Sequence, residues 1–177
     1  MTDPHQTIPP RRWPTLAIAA LAAALFTLDT SLNLIALPAI AQSFDASPAK
    51  VIWVAVCSQL VILGLALPIA SLSQALGQRR LFTMGFGVFL VGLTGSFLAP
   101  ALPFLVAFRA VQGLGLALFV STRNAIAVEH FPPHQRGAVM GVIIGAVGIG
   151  SAVGPLLGGF MVETAGWRFI YLAEMPM

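Results

Sequence analysis

The stretch Phe104-Leu-Val-Ala-Phe-Arg-Ala-Val-Gln-Gly-Leu-Gly-Leu-Ala-Leu-Phe119 decides the fold. It is apolar enough for a membrane helix, which needs about 20 mainly apolar residues. Yet it holds Arg109 in its interior. A charge near the centre of a bilayer costs from about 3 kcal/mol upward. Such a residue requires a protein interior or a water-filled cavity, and a partner inside it.

Working outward from this run, the whole chain has the same character. Of 177 residues 58% are hydrophobic and 8% charged, and mean hydropathy is +0.91. Soluble domains carry roughly 25% charged residues, so a soluble fold would lack the charge to cover its surface. The sequence specifies an integral, multi-pass, all-α membrane protein. Its net charge of +3 is a topology signal and not a nucleic-acid footprint, because the basic residues sit in short loops between apolar runs. Cys57, the single cysteine, lies in an apolar run and reads as a small core residue, with no disulfide framework to build.

Five spans follow from the apolar runs: residues 16–37, 51–72, 81–98, 104–121 and 139–162. A sixth helix starts at Trp167. Residues 1–15 read as a cytoplasmic N-terminal tail and residues 16–177 as a partial transmembrane bundle. Arg11 and Arg12 ahead of the first run resemble a signal peptide, but the run is too long for one and contains Asp29 and Asn33, so it reads as a retained helix. With the N-terminus inside, the cytoplasmic side holds Arg11, Arg12, Arg79, Arg80, Arg123 and Arg136, and the outer side only Lys50 and Arg168. This asymmetry supports that orientation in a cell (inner or plasma) membrane. Trp13, Trp53 and Trp167 fall near span ends and suit interfacial anchors.

Asp29 is the acidic residue deep inside one of these five spans. At 1.5 Å per residue it lies about 12 Å from the outer end of its helix, and Arg109 about 8 Å from the outer end of its own. The similar depth makes an Asp29–Arg109 pair plausible, which would lower the cost of both charges. Asn33 follows Asp29 by four residues and Gln112 follows Arg109 by three, so each helix carries a two-residue polar stripe. Such stripes either fix helix packing or handle a proton and line a cavity. In the second reading Asp29 and Arg109 are the coupling residues, and Asn33 and Gln112 line the cavity.

The last span carries Gly137, Gly141 and Gly145, then Gly150, Gly154 and Gly158, each set at spacing four. Small faces of this kind let helix backbones approach closely in lipid. Pro155 and Pro68 favour kinks. His130 and His134 have a metal-pair spacing, but Pro132 and Pro133 lie between them. No metal site, cofactor, nucleotide fingerprint or catalytic triad is expected, and an enzyme has no supporting residues.

The motifs resemble the major facilitator superfamily, and most closely its fourteen-helix drug:proton antiporter branch. Leu28-Asp-Thr-Ser-Leu-Asn-Leu-Ile-Ala-Leu-Pro38 is similar to the branch's first-helix motif. Arg109-Ala-Val-Gln-Gly-Leu-Gly115 is similar to the family's Arg-x-x-Gln-Gly-x-Gly, linked to proton coupling. Gly150-Ser-Ala-Val-Gly-Pro-Leu-Leu-Gly-Gly159 is similar to the antiporter motif linked to export, which makes Gly150, Gly154, Pro155, Gly158 and Gly159 a packing hinge. Trp167-Arg-Phe-Ile-Tyr171 is similar to the entry of the family's sixth helix.

Two positions depart from the pattern. In the loop that resembles the cytoplasmic gate, Gly77, Arg79 and Arg80 are present, but Gln74 stands where the family has a carboxylate. Glu174 stands where the branch usually has Asn, either as a second titrating group or as a surface residue. The resemblance implies a transporter fragment performing proton-coupled multidrug efflux of small amphipathic or cationic compounds. Its partners would be the lipid bilayer, a small-molecule substrate and protons. Because superfamily transporters use two six-helix halves, a missing C-terminal half or a partner chain would be required. The alternative is a truncated, non-transporting membrane component acting in assembly or regulation.

Overall fold

The computed structural model describes residues 12–129 and 131–175, with side chains at 74–75 and 123–129 left out. The helices are α1 (Arg12–Ser43), α2 (Pro48–Leu76), α3 (Gln78–Leu98), α4 (Leu102–Glu129), α5 (Arg136–Thr164) and α6 (Arg168–Glu174), with a 3-10 turn at Pro133–Gln135 before α5. The first five are long and apolar enough to cross a membrane. This is the all-α bundle expected of the N-terminal part of a superfamily transporter. Most of the residues expected in the N-terminal tail, with Arg11, the side chains of Gln74 and Arg123, and all of His130, lie outside the described residues.

The helices run longer than their apolar cores. α1 continues through Pro38 to Ser43, six residues past the expected end at Leu37. Proline is tolerated in membrane helices because neighbouring groups take up the freed backbone positions. α5 likewise runs unbroken through Pro155, and α2 through Pro68. Hydropathy falls where a helix leaves the hydrocarbon, but its backbone hydrogen bonds do not. The loop expected between α2 and α3 contracts to Gly77 alone, whose φ of 86° is one that L side chains rarely adopt.

α1 is central: it packs against α5, α4 and α2. α4 packs against α3 and α2, and α6 sits against the end of α3, α5 and α1. One core cluster gathers α1, α2, α3, α4 and α6 around Ile40, Phe89, Leu93, Leu105, Leu116 and Tyr171. A smaller one at the opposite end joins Leu16, Ala19 and Ala23 of α1 to Phe131, Val139 and Ile143. Leu63 and Leu67 of α2, and Leu156 and Phe160 of α5, are exposed. A face this apolar suits lipid.

Three expectations need correction. Trp167 is buried against Phe44 and Tyr171 and so is not a lipid-facing anchor; Trp13 and Trp53 are exposed. Cys57 is half-buried and not a core residue. Gly137, Gly141 and Gly145 have open space where a side chain would stand, so they form no close helix contact within the described chain. Spacing makes that face smooth, but none of the described helices covers it.

Candidate functional site

The Arg109 guanidinium has five N–H groups, and all five have acceptors. Nε donates to the Val54 carbonyl at 3.1 Å. One terminal nitrogen donates to Asp29 Oδ1 at 2.8 Å and to Gln112 Oε1 at 2.6 Å. The other donates to Asp29 Oδ2 at 3.3 Å and to Ser58 Oγ at 2.9 Å. Asp29 is thus gripped in the two-pronged geometry that suits a carboxylate. The ion pair is closed to solvent, each side chain being 2% exposed.

The rest of the network orients the carboxylate. Gln112 Nε2 donates to Asp29 Oδ1 at 2.6 Å. Asn33 Nδ2 donates to the same oxygen at 3.1 Å and to the Asp29 carbonyl at 2.8 Å. Tyr171 closes the chain from α6, its hydroxyl donating to Asn33 Oδ1 at 2.9 Å. Four helices therefore meet at one charge pair: α1 supplies Asp29 and Asn33, α2 Val54 and Ser58, α4 Arg109 and Gln112, α6 Tyr171. A buried pair is costly unless its remaining donors and acceptors are satisfied; around Arg109 they are.

Glycines set the depth at which α4 sits. A side chain at Gly113 would meet the Ser58 carbonyl at 2.7 Å, and one at Gly92 of α3 would meet the Gln112 backbone at 2.6 Å. Gly115 has the α3 backbone at Phe89 and Gly85 against it. Arg109 and Gln112 face α1 while Gly113 faces α2 and Gly115 faces α3. The run Arg109-x-x-Gln-Gly-x-Gly115 is therefore one polar face and two smooth ones on a single helix. A cleft of about 250 Å³ between α1 and α2 reaches this site, lined by Thr30, Asn33, Ser58, Gln59 and Arg109 among others.

The structure brings Asp29, Asn33, Arg109 and Gln112 together and sets the other candidates apart. Gly150, Gly154 and Gly158 pack on a different face of α1, against Ala24, Ser31 and Leu32. Gly159 has open space around it and Pro155 is exposed, so close packing of this motif rests on three glycines. Gly77, Arg79 and Arg80 are at the far end of α3. Arg80 is about 18 Å along the axis from Gly92, which touches Gln112. Among the described residues no group of three or more metal-ligating side chains exists. Sequence reasoning missed Val54, Ser58 and Tyr171. Ser58 had a weak signal as a hydroxyl in an apolar run, whereas a helix carbonyl such as Val54 has none.

The family model described as Major Facilitator Superfamily matches residues 19–177. The chain belongs to this superfamily. Within it, the riboflavin transporter RibZ of Clostridioides difficile is 30% identical over 167 residues, covering 94% of this chain and 37% of the relative. The tetracenomycin C resistance and export protein of Streptomyces glaucescens is 31% identical, covering 94% and 31%. The multidrug efflux pump LfrA of Mycolicibacterium smegmatis is 32% identical over 170 residues, covering 96% and 34%. The chain spans about a third of the length of the curated relatives it matches. It is a multi-pass membrane protein of a transporter superfamily, and its buried charge network lies within the region of the superfamily match.

Proposed function

We propose that the protein acts in proton-coupled export of small amphipathic or cationic compounds across the cell (inner or plasma) membrane, with its N-terminus in the cytoplasm. The observation that carries this reading is the Asp29–Arg109 pair, enclosed by α1, α2 and α4 with every guanidinium donor matched. A proton on Asp29 would cancel the charge that holds Arg109 and leave the guanidinium without its counter-ion. Proton occupancy would then be coupled to how α1 and α4 sit together, which is what an exchanger requires. Asn33 and Gln112 orient the carboxylate; of the two, Asn33 borders the cleft between α1 and α2, while Gln112 is enclosed behind it. Gly150, Gly154 and Gly158 give α5 a close seat on α1, and Gly77, Arg79 and Arg80 lie at the cytoplasmic end.

Transport requires a second helical half, in the same or a partner chain, for the two to rock about the site. Two of the relatives carry export or efflux in their names, which supports the outward direction. The test is efflux from energised vesicles containing the complete transporter. Asp29→Asn and Arg109→Ala should abolish the part driven by a proton gradient; wild-type rates in both would sink the coupling.

A further inference from the structure

Glu174 is a buried carboxyl that the network does not account for. It follows Tyr171 on α6 and is 1% exposed. It stands one turn beyond Tyr171, on the same side of α6, and the Tyr171 hydroxyl reaches the Asn33 that binds Asp29, so its carboxyl borders the Asp29–Arg109 network; yet neither oxygen receives a hydrogen bond from any described group. Two ionised carboxylates offer each other only acceptors, so contact between them becomes a hydrogen bond only when one holds a proton.

The surrounding charges give the same answer. Asp29 reaches the cluster from α1, Arg109 from α4 and Tyr171 from α6 itself. Of the other helices against α6, α3 has Arg79 and Arg80 at its opposite end, and α5 has Glu163 exposed. Arg168, at the start of α6, is turned to the Ala99 carbonyl and the rings of Phe44 and Trp167; Arg109 is the cation of the network, and its five donors are already taken. Asp29 is its anion, so an ionised Glu174 would be a second buried anion with neither counter-ion nor donor, an arrangement of high cost. Asp29 Oδ1 accepts from three donors and Oδ2 from one, which leaves Oδ2 room for one more.

We propose that Glu174 is a second proton-holding group of this site, its carboxylic acid donating a hydrogen bond to Asp29. When the Glu174 O–H bond breaks, its electron pair stays on Glu174 and the proton passes to Asp29 or to water. Transfer to Asp29 leaves Asp29 neutral and Glu174 anionic, so the counter-ion of Arg109 moves from α1 to α6. The use of this proton in transport rests on the coupling reading above; its presence on Glu174 does not.

The test is infrared spectroscopy of the protein purified in detergent, unlabelled and labelled with [13C]glutamate in its side-chain carboxyls. A protonated-carboxyl band that persists at neutral pH and shifts with the label is expected. Glu174→Gln, which matches the neutral acid in shape, should remove that band and flatten the decline in melting temperature as pH rises. Absence of the band in the labelled protein, or its persistence in Glu174→Gln, overturns the assignment. Should Glu174→Gln fail to fold, the double variant Glu129→Gln with Glu163→Gln leaves Glu174 as the one labelled glutamate; it should keep the band, and loss of the band there overturns the assignment. Efflux that survives Asp29→Asn and Arg109→Ala would sink the coupling and leave the band standing, so the two failures are distinguishable.

Discussion

α1 has two working faces, and they are built from opposite materials. Toward α5 it presents Ala24, Thr27, Ser31 and Ile35 to Gly150, Gly154 and Gly158. At Gly150 that contact is backbone against the Ala24 backbone, and at Gly154 and Gly158 it is backbone against the side chains of Ser31, Leu32 and Ile35, held by close van der Waals packing. On its other side it presents Asp29 to α4 and Asn33 to Tyr171 of α6, held by charge and directed hydrogen bonds. At 3.6 residues per turn the two sets fall on opposing sides of the helix. The apolar face depends on the absence of atoms, since a carbon added at Gly150 or Gly154 collides with α1. The polar face depends on completeness, since any missing partner strands a charge. The first tolerates changes of conformation that keep the surface smooth. The second changes its stability with a single proton.

Breaking the polar face should give the largest effect. Arg109→Ala leaves Asp29 buried without a counter-ion and should destabilise the protein by about 3–5 kcal/mol, read as a lowered melting temperature in detergent. The double variant Asp29→Asn with Arg109→Gln removes both charges. It should be less destabilised than the sum of the single variants, because neither charge is left alone. A double variant as unstable as the sum would mean that the pair does not act as a unit.

The glycine face should give an intermediate effect. A side chain at Gly150 would stand 2.7 Å from the Ala24 carbonyl oxygen, a backbone atom that cannot turn aside. Gly150→Ala should therefore cost about 1–3 kcal/mol through overpacking. Gly145→Ala meets nothing within 4 Å and should be neutral or stabilising by up to about 1 kcal/mol from helix propensity. Equal melting temperatures for the two would show that α5 does not seat on α1 through Gly150.

The smallest effect sharpens the polar side. Tyr171→Phe removes one hydroxyl that donates to Asn33 and should cost about 1 kcal/mol, with the Asp29–Arg109 pair intact. Thermal melts compared with those of Asn33→Ala would separate the outer link of the network from the one that touches the carboxylate.

Hydropathy and charge belong to single residues, which is why the spans, Arg109 and Asp29 were legible in the sequence. Depth along each helix then put the two charges at one level. What sequence does not carry is rotation: which side of α2 meets α4 is set by packing, so Ser58 and the Val54 carbonyl stayed hidden. Spacing of four describes Gly137, Gly141 and Gly145 as well as Gly150, Gly154 and Gly158, yet only the second set meets α1. A smooth face is a property of one helix and a contact is a property of two. Glu174 was visible as a departure from the family pattern, but its choice between surface and interior required the position of α6 against α1.

The guanidinium of Arg109 binds acceptors on three helices at once, and this has a mechanical consequence. No single helix can withdraw from it without leaving a buried donor empty, and partial release is therefore worse than either full engagement or full exchange. α1, α2 and α4 are tied at this level like staves under one hoop. Displacements that carry the three together keep the hoop whole, while sliding one past the others must break it. The fold thus favours motion as a block over motion helix by helix.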